Sequence, residues 1–302
     1  MQEEPLPGRA AHAFRARLAD PAPLVAVELR PPRRELDGVR AMEAWIDVYQ
    51  SIRRLTSLDT AVFLTDNAVG ASEEENLAHI VNNLGRDAAR ERVVPFLTLK
   101  HPLAHCLGFA ARARRERFPA LVVLGGDRHD GVPRCLPHSC DLRRRLRREQ
   151  PGLALGGWLN PYADIAAQLE QLLGTGDDPD FLLTQVVSHH DPSPVEKLAD
   201  AIARRGVRVP VFPGVFYYRS ARPETLALLS RFLPVPQAQL AADFGERGMH
   251  PEQVAARTLA WLAGLGFTRF YVSNIETGRA PARLTRLCRL AGLPDPGATS
   301  TL

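Results

Sequence analysis

The chain has 302 residues, 45% of them hydrophobic and 24% charged, with a net charge of +4 at neutral pH. This is ordinary globular composition, enough to bury a large core as one large domain or two small ones. No apolar run reaches the roughly 18 residues that a membrane span needs, and the first twenty residues lack a signal peptide's apolar block, so a soluble, cytoplasmic protein without a membrane partner is expected.

Four cysteines, Cys106, Cys135, Cys140 and Cys288, form no CxxC pair and read as free thiols in a reducing compartment. The one dense basic cluster, RRRLRRE at 143–149, has helical spacing with Leu142 and Leu146 facing inward. No aromatics interleave with its arginines, so it reads as a solvated helix face and not as a nucleic-acid patch.

In chain order, LVAVELR (24–30) reads as a strand. It is followed by a helix over 38–55, with Val39, Met42, Trp45, Ile46 and Tyr49 on one face. The pair recurs: a strand over 59–66 precedes a helix opening at Ser72 with a capping box, and a strand over 92–99 precedes a helix over about 102–117. Further strands are expected at 120–127, 152–159, 180–187, 209–215 and 268–274. Helices at 139–149, 161–173, 193–205, 222–232 and 251–264 fill the intervals, with a longer connection over 234–250.

Eight apolar strands without clear alternation, each paired with a helix, predict a single-domain (β/α)₈ barrel. A doubly wound sheet would be expected to carry a glycine fingerprint after its first strand, where this chain has ELRPPRR. The barrel is expected over 21–293, with residues 1–20 a flexible N-terminal segment and 294–302 a loose tail.

In such a barrel chemistry sits at the C-terminal mouths of the strands. The polar residues expected there are Glu28, Thr65, Asp66, Asn67, Thr98, Lys100, Asp127, Asn160, Gln185 and Asn274. Glu28 is the most pointed of them, because a carboxylate inside an apolar strand costs several kcal/mol unless a partner neutralises it or chemistry uses it. A structural pair with Arg30 is the bland alternative.

The stretches VELRPP, TDN, LGGD, LNP, DFLLTQ, VFPGV and FYVSN occur in an order and spacing that resemble the methylenetetrahydrofolate reductase family, over about residues 24–290. The TDN and NP forms are closer to its branch in anaerobic one-carbon metabolism. The resemblance implies reduction of 5,10-methylenetetrahydrofolate to 5-methyltetrahydrofolate, with hydride from NAD(P)H through a bound flavin, FAD. Glu28 would be the general acid that protonates N10, which requires a raised pKa. Asp127, Gln185 and Asn274 match folate-binding positions. The likeness assigns Thr65, Asp66, Asn67, Thr98, Gly126, Asp127, His138, Ser139, Trp158 and Asn160 to the cofactor pocket.

Where the family often carries a histidine, an arginine and a lysine for the flavin, this chain has Phe96, Gly125 and Gly174, which leaves flavin-free hydride transfer as an alternative. A second alternative is a folate-binding barrel that has lost reduction and acts in methyl transfer or as a partner subunit. Association into a homo-oligomer is compatible with either. His101, His105, Cys106, His129, Cys135, His138, Cys140, His189 and His190 all fall on expected mouth loops. Of these, Cys135, His138 and Cys140 could hold zinc with a further histidine, ordinary polar loop residues being the alternative.

Overall fold

The computed structural model describes residues 9–32, 36, 38–65, 81, 89–126, 133–173 and 178–298. Eight strands pair in parallel and in chain order, β8 closing on β1. They are β1 (Leu24–Leu29), β2 (Val62–Leu64), β3 (Val93–Thr98), β4 (Ala120–Leu124), β5 (Ala154–Leu159), β6 (Phe181–Val187), β7 (Val211–Phe216) and β8 (Arg269–Ser273). This is the expected single-domain TIM barrel.

The strands look uniformly apolar because both faces are covered, yet the period of two still sorts their side chains. On β1, Leu24 and Ala26 join the inner cluster with Phe63, Phe96, Val122, Phe181, Phe212 and Tyr271, whereas Val25, Val27 and Leu29 join the cluster beneath the helices. The inner aromatics pack tightly: the Phe63 ring stacks on Phe181 at 6.2 Å and meets Phe212 edge-on at 5.5 Å. Two glycines make room for them. A Cβ on Gly156 would lie 2.5 Å from the Phe181 ring, and one on Gly214 would lie 2.4 Å from Tyr271.

The described helices are α1 (Arg9–Ala19), α2 (Gly38–Thr56), α3 (Leu103–Arg115), α4 (Ser139–Glu149), α5 (Ile165–Leu172), α6 (Ser193–Arg205), α7 (Pro223–Leu229), α8 (Gln237–Ala241), α9 (Pro251–Gly264) and α10 (Ala280–Leu290). The helix expected at Ser72 lies outside the described residues. None of the described helices is long and apolar enough to cross a membrane.

Three expectations change. Residues 9–19, read as part of a loose end, form α1 and seal the bottom of the barrel, with Phe14 edge-on to Phe181 at 5.5 Å. Arg15 donates to Asp180 Oδ1 at 2.7 Å and to the Leu153 carbonyl at 2.8 Å, while the Arg269 guanidinium donates to the carbonyls of Leu18, Asp20 and Ala22. Next, the helix after β7 that packs on the barrel is α9; α7 and α8 belong to an insertion, α8 running into a π-helical turn over Ala242–Glu246. The helix after β8 is α10, which the sequence reading passes over.

The basic cluster also differs in part from its reading as a solvated face. Leu142 and Leu146 are buried as expected, but Arg143 is buried too, and desolvation pushes its guanidinium down to about 10. Arg144, Arg145 and Arg147 pair with Asp141, Glu149 and Asp180.

Candidate functional site

Strand parity puts Glu28 on the inner wall, one step above Ala26 and near the top of β1. Glu28 pairs in register with Phe63 on β2, and Val27 pairs with Val272 on β8, so the next inward neighbour of Glu28 on β8 is Ser273. The Ser273 hydroxyl donates to Glu28 Oε1 at 2.7 Å. Arg30, the bland partner, reaches only 3.8 Å with a side chain that is 62% exposed, while the Glu28 side chain is 8% exposed.

Burial raises the Glu28 carboxyl above its ordinary value, outweighing the charge of Arg30 and the hydrogen bond from Ser273. Below it, burial and the Glu28 charge hold the Tyr271 phenol well above its usual range, so it acts only as a donor, to the Thr184 carbonyl at 2.6 Å. The result is a carboxyl group on the inner wall with, among the described residues, one close hydroxyl donor, and it holds a proton more readily than an exposed carboxylate does.

Around that acid the structure distributes the other candidates unevenly. Thr98 is buried at the top of β3, and Trp158 packs against the inner cluster from β5. Thr65 directly follows β2, with its backbone N–H on the Leu29 carbonyl. Gly126, at φ +74°, turns the chain where a side chain would be strained, and a Cβ there would meet the Lys100 stem at 2.7 Å. Asp66, Asn67 and Asp127 lie outside the described residues.

Several candidates are occupied by the fold. Gln185 sits at a bulge in β6, half-buried, its Oε1 accepting from the Val186 N–H at 2.9 Å. Asn274 adopts the left-handed conformation at φ +65° and donates to the Tyr217 carbonyl at 3.0 Å, tying the end of β8 to β7. Asn160 accepts from the Tyr162 N–H at 3.0 Å and shapes the turn after β5. His138 is the exposed N-cap of α4 in a capping box with Asp141, and Ser139 is that helix's first residue. Among the described residues, Cys135, His138 and Cys140 do not gather into a metal-ligand cluster.

Two residues at this mouth were not among the expected ones. Ser273 was readable only with the β1–β8 register in hand. Arg134 carries no motif, yet its Nη2 donates to the Gly126 carbonyl at 2.7 Å and its guanidinium lies 3.0 Å from where a Gly125 side chain would begin. A cation thus covers the glycine pair from a neighbouring loop. A cavity of about 550 Å³ at the opposite end of the barrel, lined by Arg15, Asp180, Arg208 and Arg269, lies at the N-terminal ends of the strands, away from Glu28.

No family model matches the chain, and no curated protein does. Among solved structures, a protein from Clostridium thermocellum described as binding two copies of 5-methyl-5,6,7,8-tetrahydrofolic acid superposes with a TM-score of 0.62 at 12% identity, over 92% of this chain and 97% of its own. PhdJ bound to a substrate intermediate gives 0.52 at 13% identity, over 90% of this chain and 72% of its own. The sialic acid aldolase of Ruminococcus gnavus gives 0.51 at 8% identity, over 90% and 75%. At these identities the likeness establishes the fold.

Proposed function

We propose that the chain binds a reduced folate at the C-terminal mouth of its barrel, with Glu28 as the proton donor to the pterin. The observation that carries this reading is the setting of Glu28: inward, desolvated, raised in pKa and held closely, among the described residues, by Ser273. A neutral carboxylic acid at that place can protonate a ring nitrogen or hydrogen-bond to it without a second titrating group. Support from outside the chain is the 5-methyltetrahydrofolate bound by the similarly folded Clostridium thermocellum protein.

A second reading, reduction of 5,10-methylenetetrahydrofolate with hydride from NAD(P)H, is favoured by the same acid, since opening the imidazolidine ring needs a proton at N10. A flavin fits this mouth only in part. Phe96 is buried among the inner aromatics and Gly125 offers no side chain; the cations that the described residues place around the glycine turn are Arg134 and Lys100.

Titration of the purified chain with 5-methyltetrahydrofolate by calorimetry tests the binding reading: saturable binding is expected, retained in Glu28→Gln. Absence of binding to the wild type overturns it. Anaerobic mixing with NADH or NADPH and methylenetetrahydrofolate separates the second reading, which expects nicotinamide oxidation that Glu28→Gln abolishes. Flavin absorbance near roughly 450 nm in the purified protein would bring the cofactor into that reaction.

A further inference from the structure

We propose that His189, His190 and Asp243 form a binding site for a divalent first-row transition ion, at the rim of the barrel between the end of β6 and the insertion that follows β7. Each residue offers one ligating atom, and these atoms lie within 4.8 Å of one another. Atoms bound to one such ion at about 2.0–2.2 Å stand roughly 3–4 Å apart, so small side-chain rotations bring the set to ligating distance.

The local geometry favours an ion over a plain histidine–aspartate tie. His190 Nε2 lies 3.0 Å from Asp243 Oδ2, at ion-pair distance, and among the described residues neither of these buried atoms has a well-aligned hydrogen-bond partner. Asp243 is 0% exposed. Two buried polar atoms that converge without bonding each other leave a cost that a shared ion removes.

The surroundings hold the ligands in the way outer residues of metal sites do. Thr258 Oγ1, on α9, lies 2.8 Å from His189 Nδ1 and fixes that ring. Arg247 and Arg257 approach the other carboxylate oxygen, Oδ1, at 2.6 and 3.9 Å, which leaves Oδ2 turned toward His190. Both guanidiniums are 55% exposed, so solvent screens their repulsion of a cation. Two imidazoles and one carboxylate, without a thiolate, suit zinc, iron(II), cobalt(II) or nickel(II), and three protein ligands leave at least one coordination position for water or a further ligand.

The site is independent of the folate reading and its test does not use folate. Full-length protein stripped with a chelator is titrated with zinc chloride by calorimetry and with cobalt(II) by visible absorption. About one ion per chain is expected, with d–d bands that report nitrogen and oxygen ligation. His189→Gln and His190→Gln, checked for folding by circular dichroism, should each weaken binding by about 100-fold or more, and Thr258→Val by about 10- to 100-fold. Zinc affinity that is equal in wild type and both histidine variants, or a wild type that takes up no ion, overturns the proposal.

Discussion

Removing the Ser273 hydroxyl should make Glu28 a weaker acid, and the contacts set the size of the change. Ser273 donates to the carboxylate at 2.7 Å, whereas Arg30, 3.8 Å away on a solvent-exposed side chain, is screened. A hydrogen bond to a charged group contributes about 1.5–3 kcal/mol and one to a neutral group about 0.5–1.5 kcal/mol. The difference, about 1–1.5 kcal/mol, raises the carboxyl value further in Ser273→Ala.

The sign for stability follows from proton linkage. Burial already holds the folded value above the unfolded one, so the native state keeps a proton that the unfolded state releases. That stabilisation is full below the ordinary carboxyl value of 4.5 and is lost as pH rises through the folded value. Ser273→Ala moves the folded value higher still. Its penalty relative to wild type should therefore grow from about 0.5–1.5 kcal/mol at low pH to about 1.5–3 kcal/mol once Glu28 is ionised in both proteins. Urea denaturation from pH 4 to 9, with the infrared band of the protonated carboxyl assigned through Glu28→Gln, measures both quantities. A penalty that does not change with pH, or a carboxyl band lost at lower pH in the variant, would refute the account.

Other contacts lead to equally direct expectations. Phe14→Ala should cost about 3–5 kcal/mol in urea denaturation, because the ring is buried against Phe181; a loss under 1 kcal/mol would mean that α1 is only loosely held. Gly214→Ala places a methyl group 2.4 Å from the Tyr271 ring, which its hydrogen bond to Thr184 holds in place, so a loss of at least about 1–3 kcal/mol and a weakened near-ultraviolet dichroism are expected. Burial alone would raise Asp180, but hydrogen bonds from Arg15 and the Leu155 N–H, with the charge of Arg147, carry it below its usual 3.8. The resulting stability is present above pH 3.8 and lost as pH falls through the folded value, so Asp180→Asn should cost about 1–3 kcal/mol at pH 7 and flatten the acid limb of a stability profile.

The barrel is legible in the sequence because eight apolar runs of strand length alternate with helical periodicity, and all eight strands lie where the pattern puts them. Glu28 is legible for the same reason, a charge breaking an apolar run. What escapes is whatever depends on contacts between distant segments. Phe14 and Leu18 sit in a segment of ordinary polarity, and only the open floor of the barrel makes them core. The pattern at 280–290, APARLTRLCRL, is helical once read, but Leu284 and Leu287 take their meaning from packing beside β1. Asp243 lies over 50 residues beyond His190, in a stretch that reads as a long connection, so nothing local couples them. Asn274 matches a motif, yet its amide is engaged by Tyr217, which sequence similarity alone does not reveal.

The barrel interior changes character from one end to the other. From below, Phe14, Phe181, Phe212, Phe63 and Tyr271 fill the lumen, with glycines at 156 and 214 admitting the larger rings. Such a stack leaves no room for a ligand and excludes water from whatever sits on top of it. Glu28 stands at that boundary, in register with Phe63 on one side and beside Ser273 on the other. The aromatic floor is therefore what desolvates the acid, and the raised proton affinity of Glu28 is a property of the packing below it as much as of its own contacts. Loosening the floor should lower the Glu28 pKa toward its ordinary value even when no residue touching the carboxylate is changed.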